Sequence, residues 1–261
     1  NEVSTLEKIN IVETANSKIV KDVSSEQIKS ADLAEALSKN IPSISIVRRS
    51  AIANDIILRG QKKDNINILL DDAKIYGACP NRMDPATSHV LTNNIQSVKV
   101  IEGPYDVENF GTLSGVVKVK TKEPTKDVHG EINLNAGNFG YKKASATVSG
   151  GTDRFKLLVS TSTEEGDQYK DGNGNDFYEQ QVLSGMTTTS NGNATYSNPN
   201  QKAYEKKTLL TKGQFNINDD SEIKLSYTGN RSDGVLYPTG TMDADYDDSN
   251  IYTVGYTARN L

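Results

Sequence analysis

Within Tyr76–His89 lie the only cysteine, one of the three methionines and one of the two histidines of this 261-residue chain. A thiolate and a thioether are soft donors, and together they favour Cu(I) over hard cations. Cys79 and Met83 are four positions apart. That spacing puts two side chains on the same side of a helical turn or compact loop, within reach of one ion. A lone Cys is ordinarily a small buried hydrophobe and a Met a gap-filler. Here the flanking Pro80, Asn81, Arg82, Asp84 and Pro85 read as an exposed loop. His89 is either a further ligand or a polar loop residue. The acidic run Asp243, Asp245, Asp247, Asp248 lacks the Gly and terminal Glu of a helix–loop–helix calcium site, and reads as a solvated rim that attracts cations. No nucleophile–base pair, phosphate loop or zinc signature is present, so an enzyme is not expected.

The elements that must position these side chains are read from composition and pattern. Length allows one large or two ordinary domains. The hydrophobic share is 35% and the mean hydropathy −0.58, and no stretch has the roughly 18 apolar residues of a spanning helix. A net charge of −5 leaves no basic stripe for nucleic acid. One cysteine excludes an intramolecular disulfide framework. Asn1 is not followed by a basic and then an apolar segment, which leaves a cytoplasmic chain or one already processed.

The chain changes character near residue 125. Before it, a helix is expected over 25–39, capped by Ser24 or Ser25 and ended by Asn40 and Pro42. Strands are expected around Ile44–Val47, Ile52–Leu58, Ile66–Leu70, Ile95–Glu102 and Val116–Lys122, which makes an α+β unit. Beyond residue 130 the pattern is strands of period two over 131–137, 143–149, 156–162, 208–218, 222–228 and 251–258. His129 begins the first. Tight turns at Gly150–Asp153 and Asp219–Ser221 alternate with long polar loops over 164–205 and 229–249. That asymmetry marks an outer-membrane β-barrel, although a soluble antiparallel sandwich can show the same alternation.

The stretches DLAEALSKNIPSISIVRR (Asp32–Arg49), DIILRG (Asp55–Gly60) and NILLDDAKIYG (Asn67–Gly77) resemble the plug domain of TonB-dependent outer-membrane receptors. So does IQSVKVIEGPYDVENFGTLSGVVKVKTKEP (Ile95–Pro124), in which Gly103 and Gly115 stand where a strand turns sharply or backbones pack closely. The resemblance implies an α+β plug domain followed by the first antiparallel strands of a large transmembrane β-barrel of about 22 strands. The implied organisation is an extension over 1–24, a plug over 25–125 and barrel strands and loops over 126–261. About six strands cannot enclose a plug, and open edges are intolerable in lipid, so the chain is expected to be part of something longer. Ile9, Asn10, Ile11, Val12, Glu13, Thr14 and Ala15 look like a TonB box, which pairs with the inner-membrane protein TonB by strand addition. Arg48, Arg49, Arg59 and Glu102 resemble charged contacts between plug and barrel.

The run CPNRMDP also resembles the copper-binding plug loop of the OprC/NosA group of copper receptors. By that resemblance Cys79 and Met83 are ligands of a copper ion, Cu(I). Met242, in Leu236–Asp243, matches a loop that supplies a thioether there. Met186 could substitute for a missing ligand, or be a solvated loop side chain. The expected function is import of copper across the outer membrane of a Gram-negative bacterium, with TonB, outer-membrane lipid and the metal ion as partners and no nucleic acid. The first alternative is a receptor for a ferric siderophore or another metal chelate. The second is a truncated metal-binding module that does not transport.

Overall fold

The computed structural model describes residues 17–21, 32–106, 108–109, 111–185, 201–238 and 243–259. Ile9–Ala15, Met186 and Met242 lie outside the described residues. The N-terminal part comprises β1 (Ser17–Lys21), α1 (Leu33–Asn40), β2 (Ile44–Val47), β3 (Asp55–Leu58), β4 (Gln61–Lys62), β5 (Ile66–Leu70), β6 (Ala73–Lys74), β7 (Ile95–Glu102) and β8 (Gly115–Thr121). A five-stranded sheet runs β1-β7-β8-β5-β6 and a smaller one β2-β3-β4. Among the described strands only β5 and β8 pair in parallel. Every residue of β5 is buried, as befits a strand covered on both faces.

Helix α1 covers the later part of the helix expected over 25–39. Asp32 is extended, with φ −141°, and its carboxylate accepts the Glu35 amide. Asp32 therefore caps the helix Leu33–Asn40, while the expected cap at Ser24 or Ser25 and residues 25–31 of the expected helix lie outside the described residues. Leu33, Ala34 and Leu37 then pack with Ile56, Leu58, Val98, Val100 and Val117 in the main core. Ile52 lies in the connection between β2 and β3 and not in a strand. Gly115 has φ +154°, and a Cβ there would sit 2.3 Å from the Ile101 carbonyl oxygen, so β7 and β8 approach as only glycine allows.

Six long strands follow as an antiparallel meander: β9 (His129–Ala136), β10 (Lys142–Gly151), β11 (Phe155–Asp167), β12 (Lys202–Asn218), β13 (Ser221–Val235) and β14 (Ala244–Ala258). Their faces are inverted relative to a soluble protein. Ile132 and Leu134 are 77% exposed and Val254 is 75% exposed, whereas Ser160 and Asn230 are at most 1% exposed. A sandwich buries its apolar face; a barrel wall turns it outward to lipid and keeps its polar face inside. The wall reading is the one the strands obey. The 17 residues of β12 exceed the roughly 9–11 that a tilted strand needs to cross a hydrocarbon layer.

The long loops are shorter than the sequence suggested, because the strands continue into them; the connections span 168–201 and 236–243. The first contains a helix, α2 (Phe177–Leu183), with a capping box between Asp176 and Glu179. The Asp-then-Glu spacing was the available signal.

The N-terminal domain lies against the polar face of the wall. Lys212 reaches Asp71 and Glu123 at 3.1 Å each. Lys143 reaches Thr92 at 3.3 Å, Lys206 the Ser88 carbonyl at 3.2 Å, and Asn93 the Ser160 hydroxyl at 3.3 Å. Two of the charged contacts suggested by sequence fall elsewhere: Arg48 lies 3.9 Å from Glu35 and Glu102 accepts from Ser43, both within the domain. The lysines that meet the domain come from the wall.

Candidate metal site

The segment after β6 closes into a compact loop. The Arg82 amide donates to the Cys79 carbonyl at 2.9 Å, a turn with Pro80 at the position that favours proline, and Arg82 takes a left-handed φ of +60°. At the loop's base Gly77 lies against Asp84; a Cβ on Gly77 would fall 2.3 Å from the Asp84 carbonyl oxygen. The Asp84 carboxylate accepts the amides of Ala78 and Cys79 at 2.6 and 2.7 Å. Burial alone would raise its pKa, but the His89 imidazole and those two amides outweigh burial and hold it below the ordinary carboxylate value.

A second anchor is the Arg82 guanidinium, which holds Asp55 of β3 through Nε at 3.0 Å and Nη2 at 3.2 Å. The third comes from the wall. The Tyr237 hydroxyl donates to the Met83 carbonyl at 2.5 Å, and the Tyr237 amide donates to Asp243 at 2.9 Å. Burial, together with nearby carboxylates and Cys79, pushes the Tyr237 hydroxyl pKa up, so it remains a donor at physiological pH.

The loop is less exposed than its composition suggested. Ala78, Pro80 and Asn81 face solvent, but Cys79, Arg82, Met83 and Asp84 are half-buried and everything from Pro85 to Val90 is buried. Met83 packs against a cluster of Ile52, Ala53, Ala203, Tyr204, Val235 and Tyr237, drawn from both the N-terminal domain and the wall. Sequence could not show this, because the covering residues lie 30 or more positions away, and those after β11 more than a hundred. His89 is 5% exposed; its Nε2 is 3.7 Å from an Asp84 oxygen and its buried Nδ1 has no partner. Among the described residues no three of His, Cys, Asp and Glu gather as a metal site.

Residues 10–116 match the family model described as TonB-dependent Receptor Plug Domain. These residues are a TonB-dependent receptor plug domain. The plug and its six strands also superpose on solved receptors. The copper transporter OprC is 21% identical with a TM-score of 0.74, over 92% of this chain and 34% of that one. The FrpB iron transporter of Neisseria meningitidis is 18% identical with a TM-score of 0.66, over 94% and 37%. A variant of the ferric enterobactin receptor PfeA of Pseudomonas aeruginosa is 16% identical with a TM-score of 0.60, over 84% and 33%. At these identities the likeness shows the fold: a plug against antiparallel strands of a receptor barrel. The chain spans about a third of the length of each of these structures. No curated protein sequence matches it.

With the plug in place, the expected site residues separate. Cys79 and Met83 share one braced loop, which Tyr237 meets at the Met83 carbonyl. His89 stands behind that loop, against Asp84. Three residues that build the loop were missed as such by sequence reading: Asp84, Arg82 and Tyr237. Their signal was available only as polar types flanking the sulfur residues.

Proposed function

We propose that this chain is the plug and first barrel strands of a TonB-dependent outer-membrane importer of copper, with Cu(I) as cargo. The observation that carries the reading is the Cys79–Met83 loop, braced at three points and capped by a wall residue, Tyr237, at the carbonyl of Met83. A thiolate and a thioether held on one such loop suit a soft monovalent ion. Met242 immediately precedes Asp243, whose carboxylate holds the Tyr237 amide, and it is the third ligand in this reading. Met186 and His89 are weaker candidates. Loop and plug then both donate ligands, so bound metal pins the 236–243 connection over the plug. The extension over 1–24 carries a TonB box at Ile9–Ala15; its engagement by TonB remodels the plug, which extends over 25–125, and releases the ion inward past the strands of 126–261. The polar-inward, apolar-outward strands support a place in the outer membrane.

The test is uptake of radioactive copper by cells expressing the protein that carries this chain. Uptake lost in Cys79→Ala and on deleting residues 9–15 supports the reading. Uptake unchanged in both contradicts it.

One observation favours a second cargo, a ferric siderophore or similar chelate. A cleft of about 160 Å³ beside the same cluster is lined by Arg48, Arg49, Tyr169, Phe177, Leu236 and Pro238, side chains that suit one anionic aromatic group of such a ligand. Competition of siderophore with copper for uptake separates the two.

A further inference from the structure

Two plug carboxylates accept hydrogen bonds from the sulfur loop, and each has both oxygens engaged. Asp55 is held by two guanidinium nitrogens of Arg82. Asp84 gives one oxygen to the Cys79 amide and the other to the Ala78 amide, and this second oxygen also faces His89 at 3.7 Å. The His89 ring is buried behind it with Nδ1 unpartnered. The Asp84 backbone meanwhile packs on Gly77, where no Cβ fits. Asp84 is thus the single residue that touches the loop at its base, at Ala78 and at the sulfur-bearing residue itself.

We propose that Asp84 is the positioning and specificity-determining residue of the sulfur site: it fixes the backbone of Cys79 ahead of metal, and its amide-occupied oxygens are withheld from hard cations. The proposal rests on the copper reading above and adds its selectivity. A carboxylate free to swing toward a bound ion would offer a hard oxygen donor and admit Zn(II) and other divalent ions. One engaged by two amides gives up those bonds to do so, and the Cys79 amide it leaves is part-buried. Residues that orient metal ligands in this way typically change affinity 10–100-fold when replaced.

The experiment measures Cu(I) affinity against a chromogenic chelator, Zn(II) competition, and the ultraviolet thiolate-to-copper band, on the intact protein carrying this chain. Asp84→Asn keeps the size but leaves one amide facing an NH2 group; about a 10–100-fold loss of Cu(I) affinity with an altered band is expected. Asp84→Glu keeps the charge on a longer arm and is expected to shift competition toward Zn(II). Asn81→Ala, at a solvent-facing position of the same loop that makes none of these contacts, is expected to leave Cu(I) affinity unchanged. Equal losses in Asp84→Asn and Asn81→Ala, with no gain of Zn(II) in Asp84→Glu, overturn the proposal. Wild-type affinity in Asp84→Asn beside lost binding in Cys79→Ala overturns it while the copper reading stands. Full copper binding in Cys79→Ala overturns both.

Discussion

Tyr237, two residues past the end of β13, donates its hydroxyl to the carbonyl of Met83, a plug residue 154 positions earlier in the chain. The bond joins the two parts at the loop that carries both sulfurs of the plug. Tyr237→Phe keeps the ring in its cluster and removes only the hydroxyl. A single hydrogen bond contributes about 1 kcal/mol net, and somewhat more when its buried partner is left unsatisfied. The expected result is Cu(I) affinity reduced by about 5–10-fold with the fold intact, read by competition with a Cu(I) chelator. Unchanged affinity would show that the wall does not help to hold the site.

Asp32 is 1% exposed and caps α1, and burial pushes its pKa up to about 6, only partly offset by the Glu35 amide and the Asn54 side chain. The ordinary value is 3.8. Between the two values the folded plug holds a proton that the unfolded chain has released. The contribution is therefore fully present below 3.8 and is lost as pH rises through about 6, by up to about 3 kcal/mol. Asparagine caps a helix as well as aspartate does. Asp32→Asn should flatten this loss between about pH 4 and 7, measured by hydrogen exchange of the α1 and β3 amides corrected for intrinsic rates. Parallel pH profiles in both proteins would contradict the assignment.

Lys212 projects from the wall to Asp71 and Glu123, and its side chain is 4% exposed. Burial would raise the Asp71 pKa, but Lys212 and the Thr121 hydroxyl and amide hold it below the ordinary value. Lys212→Met leaves Asp71 without its cation at the interface, a loss of about 3 kcal/mol for a buried pair broken on one side. Faster exchange or proteolysis across β5–β8 is expected. Lys126→Ala, which removes the exposed pair with Asp153, should leave both unchanged. Equal effects would mean that the Lys212 pair does not anchor the plug.

The plug was legible because its strands alternate or run continuously apolar over short spans bounded by Gly, Pro and Asp. Ile95–Glu102 emerged with the same limits in sequence and structure. The wall was legible only as alternation. Its direction needed the structure, since Ile132 and Leu134 look the same in a core-facing strand as in a lipid-facing one. Strand lengths were underestimated because Gly166, Tyr204 and Asn230, which read as loop, are paired in the ladder. At the site, Cys79 and Met83 stood out by rarity. Asp84 and Tyr237 did not, since an aspartate or tyrosine in a polar stretch carries no mark of the backbone group it will meet.

The central claim is that the plug sulfurs hold copper. The most direct measurement is elemental analysis of the intact protein carrying this chain after exposure to copper, iron and zinc, beside a Cys79→Ala/Met83→Ala double variant. The account predicts near-stoichiometric copper, with little iron or zinc, and its loss in the double variant. Copper retained in the double variant, or absent from both proteins, would contradict it.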